Sequence, residues 1–157
     1  MVKLPSYPRF PSINLNIILT QTDTTVGFLS QNEKKLQKIK SRQRSKPFIT
    51  VYSTFKTLSN SHIRVPTSKR NLVRRSKRTT FIIKGKSFRV AQTSLSSQFL
   101  RNSSANYSTS ANESGKNFNR VFCESKTDII IEGKNSLYEG KASTLYKINA
   151  QSIRKIR

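Results

Sequence analysis

TQTDTT, residues 20–25, sets four threonines around one aspartate in a chain with only seven Asp and Glu against thirty Lys and Arg. An acid that scarce, flanked by small hydroxyls, reads as a placed group rather than a solubilising one. Residues 14–21 before the turn read as a buried strand, because the run is apolar and β-branched and ends in polar turn residues.

The rest of the composition narrows the answer. At 157 residues the chain suits one domain that buries roughly two-thirds of the surface its unfolded form exposes. A hydrophobic fraction of 34% and a formal charge of +23 lean toward disorder. Against disorder stand the short strand-like runs NIIL, FITVY, TTFII and DIII. The reading is a folded domain with a strongly basic surface, and a pI near 11 calls for a polyanionic partner. One cysteine, Cys123, excludes an internal disulfide, and with the single His62 it makes no zinc-type ligand set. No metal site is expected. The run INLNIILT is too short and too polar to span a bilayer, so no membrane partner is expected and a reducing, cytoplasmic setting is.

Three of the five prolines, Pro5, Pro8 and Pro11, fall in residues 1–13, which read as an extended lead-in, with the domain over 14–157. Asn32 can cap a helix from Glu33 to Ile39, with Leu36 and Ile39 inward and Lys34, Lys35 and Lys38 in solvent. A strand is expected over residues 48–52 after Pro47 and a basic helix over 67–75 capped by Thr67. A hairpin is expected with strands at 79–84 and 87–91 around Lys84-Gly85-Lys86, and a short helix over 94–100. Residues 106–117, NYSTSANESGKN, read as a polar loop. Strand-like runs follow at 128–131, 144–148 and 152–157. This irregular alternation predicts an α/β (α+β mixed) domain, a twisted mixed sheet with flanking helices and a basic cleft.

The charge is concentrated. Seven basic residues and no acid lie between Lys34 and Lys46, and ten with no acid between Arg64 and Arg89. In KIKSRQRSKP, residues 38–47, the cations run through a helix end into a loop, where they can converge on one anion. Arg42 offers a planar fork for phosphate oxygens, and Lys40 and Lys46 act as point charges. The hydroxyls and amide of STSAN, residues 108–112, could complement them. There is no GxxxxGKS, no GxGxxG and no triad built on His62, so P-loop and hydrolase chemistry are disfavoured.

Taken in order, five motifs resemble the YrdC-like family, which includes the threonylcarbamoyl-AMP synthases of tRNA modification. They are QTDTTVGF at 21–28, KSRQRSKPF at 40–48, FRV at 88–90, STSANESG at 108–115 and STLYKI at 143–148. The chain departs from the family pattern at Gln21 and Gln43, where the family has proline, and at Val26, where it has tyrosine. The resemblance implies a single YrdC-like domain that makes L-threonylcarbamoyladenylate and pyrophosphate from L-threonine, bicarbonate and ATP with Mg²⁺. The product would pass to downstream t6A transferase proteins.

The resemblance also assigns roles. Thr24, Arg89, Ser108 and Ser143 would bind threonine, Arg89 through its carboxylate. Lys40, Arg42, Ser110 and Asn112 would carry the catalytic chemistry, and Arg42, Lys46, Ser110 and Arg157 would hold ATP. Adenylyl transfer needs positioning and charge neutralisation more than a strong base, which suits a chain without a catalytic histidine. The alternative is a non-catalytic YrdC-like protein that binds double-stranded RNA or tRNA, with Arg74, Arg75, Lys77 and Arg78 tracking phosphates.

Overall fold

The computed structural model describes residues 15–41, 47–91 and 105–157. The lead-in at 1–13, the helix expected at 94–100, and Arg42 and Lys46 lie outside the described residues. Among the described residues nine strands form one mixed sheet: β1 (Ile18–Gln21), β2 (Val26–Ser30), β3 (Ile49–Tyr52), β4 (Thr79–Ile83), β5 (Lys86–Val90), β6 (Asn106–Ser110), β7 (Ile129–Ile131), β8 (Thr144–Ile148) and β9 (Ile153–Lys155). Their order across the sheet is β7-β1-β2-β6-β3-β5-β4-β8-β9. The pairs β1/β7, β3/β5 and β4/β8 are parallel and the others antiparallel. Four helices are described: α1 (Glu33–Lys40), α2 (Phe55–Ser59), α3 (Arg70–Arg75) and α4 (Arg120–Ser125).

Local chemistry accounts for several boundaries. Asn32 Oδ1 accepts from the Lys35 amide at 3.1 Å and starts α1, which ends at Ser41 in the left-handed region, φ 46°. The β4–β5 hairpin pairs Ile83 with Lys86, so its loop is the two residues Lys84 and Gly85. Both have positive φ, 48° and 77°, the primed turn that matches strand twist. Thr67 does not cap α3 with its side chain: residues Thr67–Lys69 form a 3₁₀ turn behind Pro66, and α3 starts at Arg70. A proline carbonyl already serves that turn, through the Lys69 amide at 2.9 Å.

The sheet separates two environments. On one face Ile17, Leu19, Val26 and Phe28 pack with Leu36 of α1 and Cys123 of α4. Beside them Tyr52, Phe81, Phe88 and Val90 pack with Leu58 of α2 and Val73 of α3. Leu36 faces inward while Lys34, Lys35 and Lys38 are exposed, as the helical spacing predicts. The other face carries Ser108 and Ser110 of β6, Ile49 of β3, Arg89 of β5, Thr80 of β4 and Leu145 of β8 around an open cleft.

One correction matters for the site. Residues 106–110, read as the start of a polar loop, form β6, a central strand between β2 and β3. Its outward face borders the cleft, so serines take the place of apolar residues there, while Tyr107 packs on the core side. The strand β2 and the helices α2 and α4 were not expected from the sequence.

The sole cysteine, Cys123, is fully buried, and burial pushes its thiol above the ordinary range. The folded protein should therefore react with a thiol reagent at pH 8 on the order of a hundredfold more slowly than the denatured chain. Equal rates would show that α4 is not seated on the sheet.

Candidate functional site

The turn between β1 and β2 is held by its own hydroxyls. Thr22 Oγ1 donates to the Thr25 carbonyl at 2.7 Å and accepts from the amides of Thr24 and Thr25 at 3.2 and 3.3 Å. This threonine-centred turn satisfies the backbone without a longer loop. It frees the side chains of Asp23, Thr24 and Thr25 for other partners. Thr25 Oγ1 accepts from the Gly140 amide at 3.0 Å.

Asp23 and Thr24 meet Arg89. The Nη1 group of Arg89 donates to Asp23 Oδ1 at 2.7 Å and to Thr24 Oγ1 at 2.8 Å. Nε and Nη2 both reach Thr80 Oγ1, at 3.3 and 3.2 Å. Thr80 in turn shares a hydrogen bond with Ser143 Oγ at 2.9 Å. The ion pair is 9% exposed on the Arg89 side and 14% on the Asp23 side. A guanidinium that buried needs a charge partner, and the scarce acid of the opening stretch supplies it.

This network forms the floor of a cleft of about 370 Å³ whose lining includes Thr24, Arg89, Ser108, Ser110, Ser143 and Arg157. All four residues expected to bind threonine are thus brought together. Arg157 Nε and Nη2 both donate to the Ser143 carbonyl at 3.3 Å, which holds Arg157 at the cleft.

Lys40 takes a different position. It does not line the cleft, is 6% exposed, and its Nζ donates to the Ser110 carbonyl at 3.0 Å. The same Nζ donates to Asn112 O and Oδ1, both at 2.6 Å. Asn112 Oδ1 also accepts from Ser110 Oγ at 2.7 Å. Lys40 and Asn112 therefore brace the end of β6, and Ser110 is the member of this group that borders the cleft. Arg74, Arg75, Lys77 and Arg78 are exposed on and just after α3, with the Arg74 guanidinium 4.8 Å from the Phe55 ring centroid.

Two parts of the site had no sequence signal strong enough to find. The first is Thr80, a position retained from the family pattern whose partners depend on the β4–β5 register. The second is the segment 137–140, which closes on the threonine turn. Tyr138 O accepts from the Val26 amide at 3.1 Å, and Tyr138 N donates to Gln21 Oε1 at 3.1 Å. A Cβ on Gly140 would lie 2.0 Å from the Thr24 carbonyl oxygen, so no larger residue fits that approach. The segment starts at Leu137, whose amide donates to Glu132 Oε1 at 3.1 Å, and Arg120 grips that carboxylate through two nitrogens, at 3.0 and 2.8 Å. That grip holds the Glu132 carboxyl below its ordinary range. The anchor is therefore complete above the usual carboxylate range and is lost as pH falls through the lowered value. Val26, where the family pattern has tyrosine, is 1% exposed and packs in the core rather than in the cleft.

Among the described residues no three His, Cys, Asp or Glu cluster as metal ligands, and no helix is long and apolar enough to cross a membrane.

No protein-family model matches the chain, and no curated protein matches it in sequence. Solved structures do. Sua5 of P. abyssi, in its complex with L-threonine, is similar over 90% of this chain and 50% of its own, at 20% identity and a TM-score of 0.72. E. coli YciO is similar over 90% of this chain and 82% of its own, at 16% identity and a TM-score of 0.71. Full-length HypF, in a phosphate- and nucleotide-bound form, matches 90% of this chain over 26% of its own, at 16% identity and a TM-score of 0.67. The chain spans about half the length of the Sua5 chains it matches. Likeness of this extent at such low identity speaks for architecture alone, and the architecture is the one the ordered motifs implied: the chain has the YrdC-like fold.

Proposed function

We propose that the cleft is the active site of a threonylcarbamoyl-AMP synthase. The observation that carries the reading is Arg89, a buried guanidinium on the cleft floor, ringed by the hydroxyls of Thr24, Thr80 and Ser143. Its Nη2 has two protons and one acceptor among the described residues, Thr80 Oγ1, so a donor remains for a ligand carboxylate. Support also comes from the shared fold of Sua5, which has been seen with L-threonine bound.

In this reading threonine places its carboxylate on Arg89, with Ser108 and Ser143 beside it. Its amine adds to bicarbonate-derived CO₂ to give a carbamate. A carbamate oxygen attacks the α-phosphorus of ATP, and the bond to the β-phosphate bridging oxygen breaks, releasing pyrophosphate. Arg157 and Ser110 would contact the nucleotide, joined by Arg42 and Lys46, while Lys40 and Asn112 keep Ser110 in position. Such a site works by orientation and by matching charge in the transition state. Mg²⁺ would enter as the counter-ion of ATP, since the cleft walls offer hydroxyls and cations rather than a carboxylate cage. The setting is the cytoplasm, and the adenylate would pass to the t6A transferase proteins.

A second reading has its own observation. Arg74, Arg75, Lys77 and Arg78 form an exposed basic strip outside the cleft, suited to the phosphates of tRNA or double-stranded RNA. Recognition of a tRNA is compatible with catalysis, whereas RNA binding without turnover would make this a binding module.

Two outcomes follow. Calorimetric titration should detect L-threonine binding that Arg89→Gln weakens by about a hundredfold, the scale for losing a charge-assisted hydrogen bond to a buried carboxylate. Unchanged binding by folded Arg89→Gln would remove Arg89 from the site. RNA affinity, if carried by the strip, should fall steeply between 50 and 200 mM salt, roughly as expected for each phosphate contact, and the slope should flatten when the four residues are changed to glutamine. A slope unaffected by those changes would place RNA elsewhere or nowhere.

A further inference from the structure

The Asp23–Arg89 pair carries a consequence for selectivity, and it rests on the reading of the cleft as an amino-acid site. The chain has a formal charge of +23, and phosphate compounds are the anions such a surface attracts most. An unpaired buried arginine on the cleft floor would be a phosphate trap, because its fork matches phosphate as well as carboxylate. Asp23 prevents this. Its carboxylate lies 2.7 Å from Arg89 Nη1 while Asp23 is not among the residues lining the cleft, so it offsets the charge at Nη1 and leaves an Nη2 donor to a ligand.

We infer that Asp23 is the residue that makes the Arg89 end of the cleft select a carboxylate and reject phosphate. The paired guanidinium presents hydrogen-bond donors with little net charge. A carboxylate, singly charged and planar, accepts those donors and suffers modest repulsion from Asp23. A phosphate dianion at the same place meets the same repulsion twice over beside a guanidinium that is itself only 7% exposed, where charges act more strongly than in bulk water. Thr24 and Thr80, hydrogen-bonded to Arg89, and Ser143, bonded to Thr80, are neutral. The other guanidinium of the cleft, Arg157, is turned to the Ser143 carbonyl with no carboxylate partner among the described residues, which leaves it as the phosphate-binding cation. A cleft that must hold an amino acid and a nucleotide side by side thereby keeps the triphosphate out of the amino-acid position.

The test measures inorganic phosphate binding to the full chain by calorimetry in wild type, Asp23→Asn, and Asp23→Asn combined with Arg89→Gln. Asparagine keeps an oxygen for Arg89 and removes only the charge. Asp23→Asn should bind phosphate tenfold or more tightly than wild type, and the double variant should lose that gain. A folded Asp23→Asn with wild-type phosphate affinity, or a gain that survives loss of Arg89, overturns the inference. A residue that merely supports the fold would not tighten phosphate binding when changed. Should Asp23→Asn fail to fold, the nitrogen-15 resonance of Arg89 Nε in the wild-type protein gives the answer. It should stay fixed as phosphate is added, and movement at concentrations that leave the rest of the cleft unsaturated overturns the inference. Neither arm uses threonine or turnover, so a protein that fails to bind threonine would contradict the proposed function while these results still judge Asp23.

Discussion

A guanidinium can sit on the floor of this cleft because one carboxylate reaches it. Arg89 lies on a central strand, 7% exposed, where an unpaired charge would cost several kcal/mol. Asp23 arrives from the β1–β2 turn, sixty-six residues away in sequence, at 2.7 Å. Each neighbouring feature serves that meeting. Thr22 folds the turn tightly enough to project Asp23, Thr24 steadies the same nitrogen, and Thr80 takes the opposite side of the guanidinium while holding Ser143. The segment around Gly140 then closes on the turn at a distance only glycine allows.

The two faces of the sheet divide the work. One is filled by Phe28, Phe81, Phe88 and the residues of four short helices, which supply the burial that holds nine strands together. The other is left open and lined by small hydroxyls, whose size leaves room for a ligand and whose polarity costs little beside water. The sequence places the two sets in alternation along the same strands: Phe81 and Ile83 face the helices, Thr80 and Ile82 the cleft. A fold shared with Sua5, YciO and HypF thus sets where the cleft lies, and this chain's own side chains set what it can bind.

Much of this was legible before any coordinates. Asn32 followed by a period-3.6 pattern gave α1, Lys84-Gly85 gave the hairpin, and the isolated β-branched runs gave β1, β3, β7 and β8. The ordered motifs single out Thr24, Arg89, Ser108 and Ser143, and these four line one cleft. What escaped has physical reasons. Asn106–Ser110 reads as loop because a strand bordering a polar cleft lacks the apolar alternation that marks strands. Val26–Ser30 is buried throughout but short, and its neighbouring turn residues dominate the reading. The contact of Lys40 with Ser110 and Asn112 joins positions seventy or more residues apart, which no local pattern encodes. Asp23 could be recognised as placed, but its partner only becomes visible once β5 lies beside the turn.

The proposed chemistry and the basic strip on α3 make different demands on the molecule. Catalysis requires the cleft to hold an amino acid and a nucleotide together, while RNA binding needs only the exposed strip. The most direct measurement is conversion of labelled bicarbonate into an acid-labile adenylate by the purified full chain with ATP and Mg²⁺, with and without L-threonine. A synthase gives a labelled product that requires threonine and ATP together and is accompanied by equimolar pyrophosphate. A folded protein that yields no threonine-dependent product under those conditions would contradict the synthase.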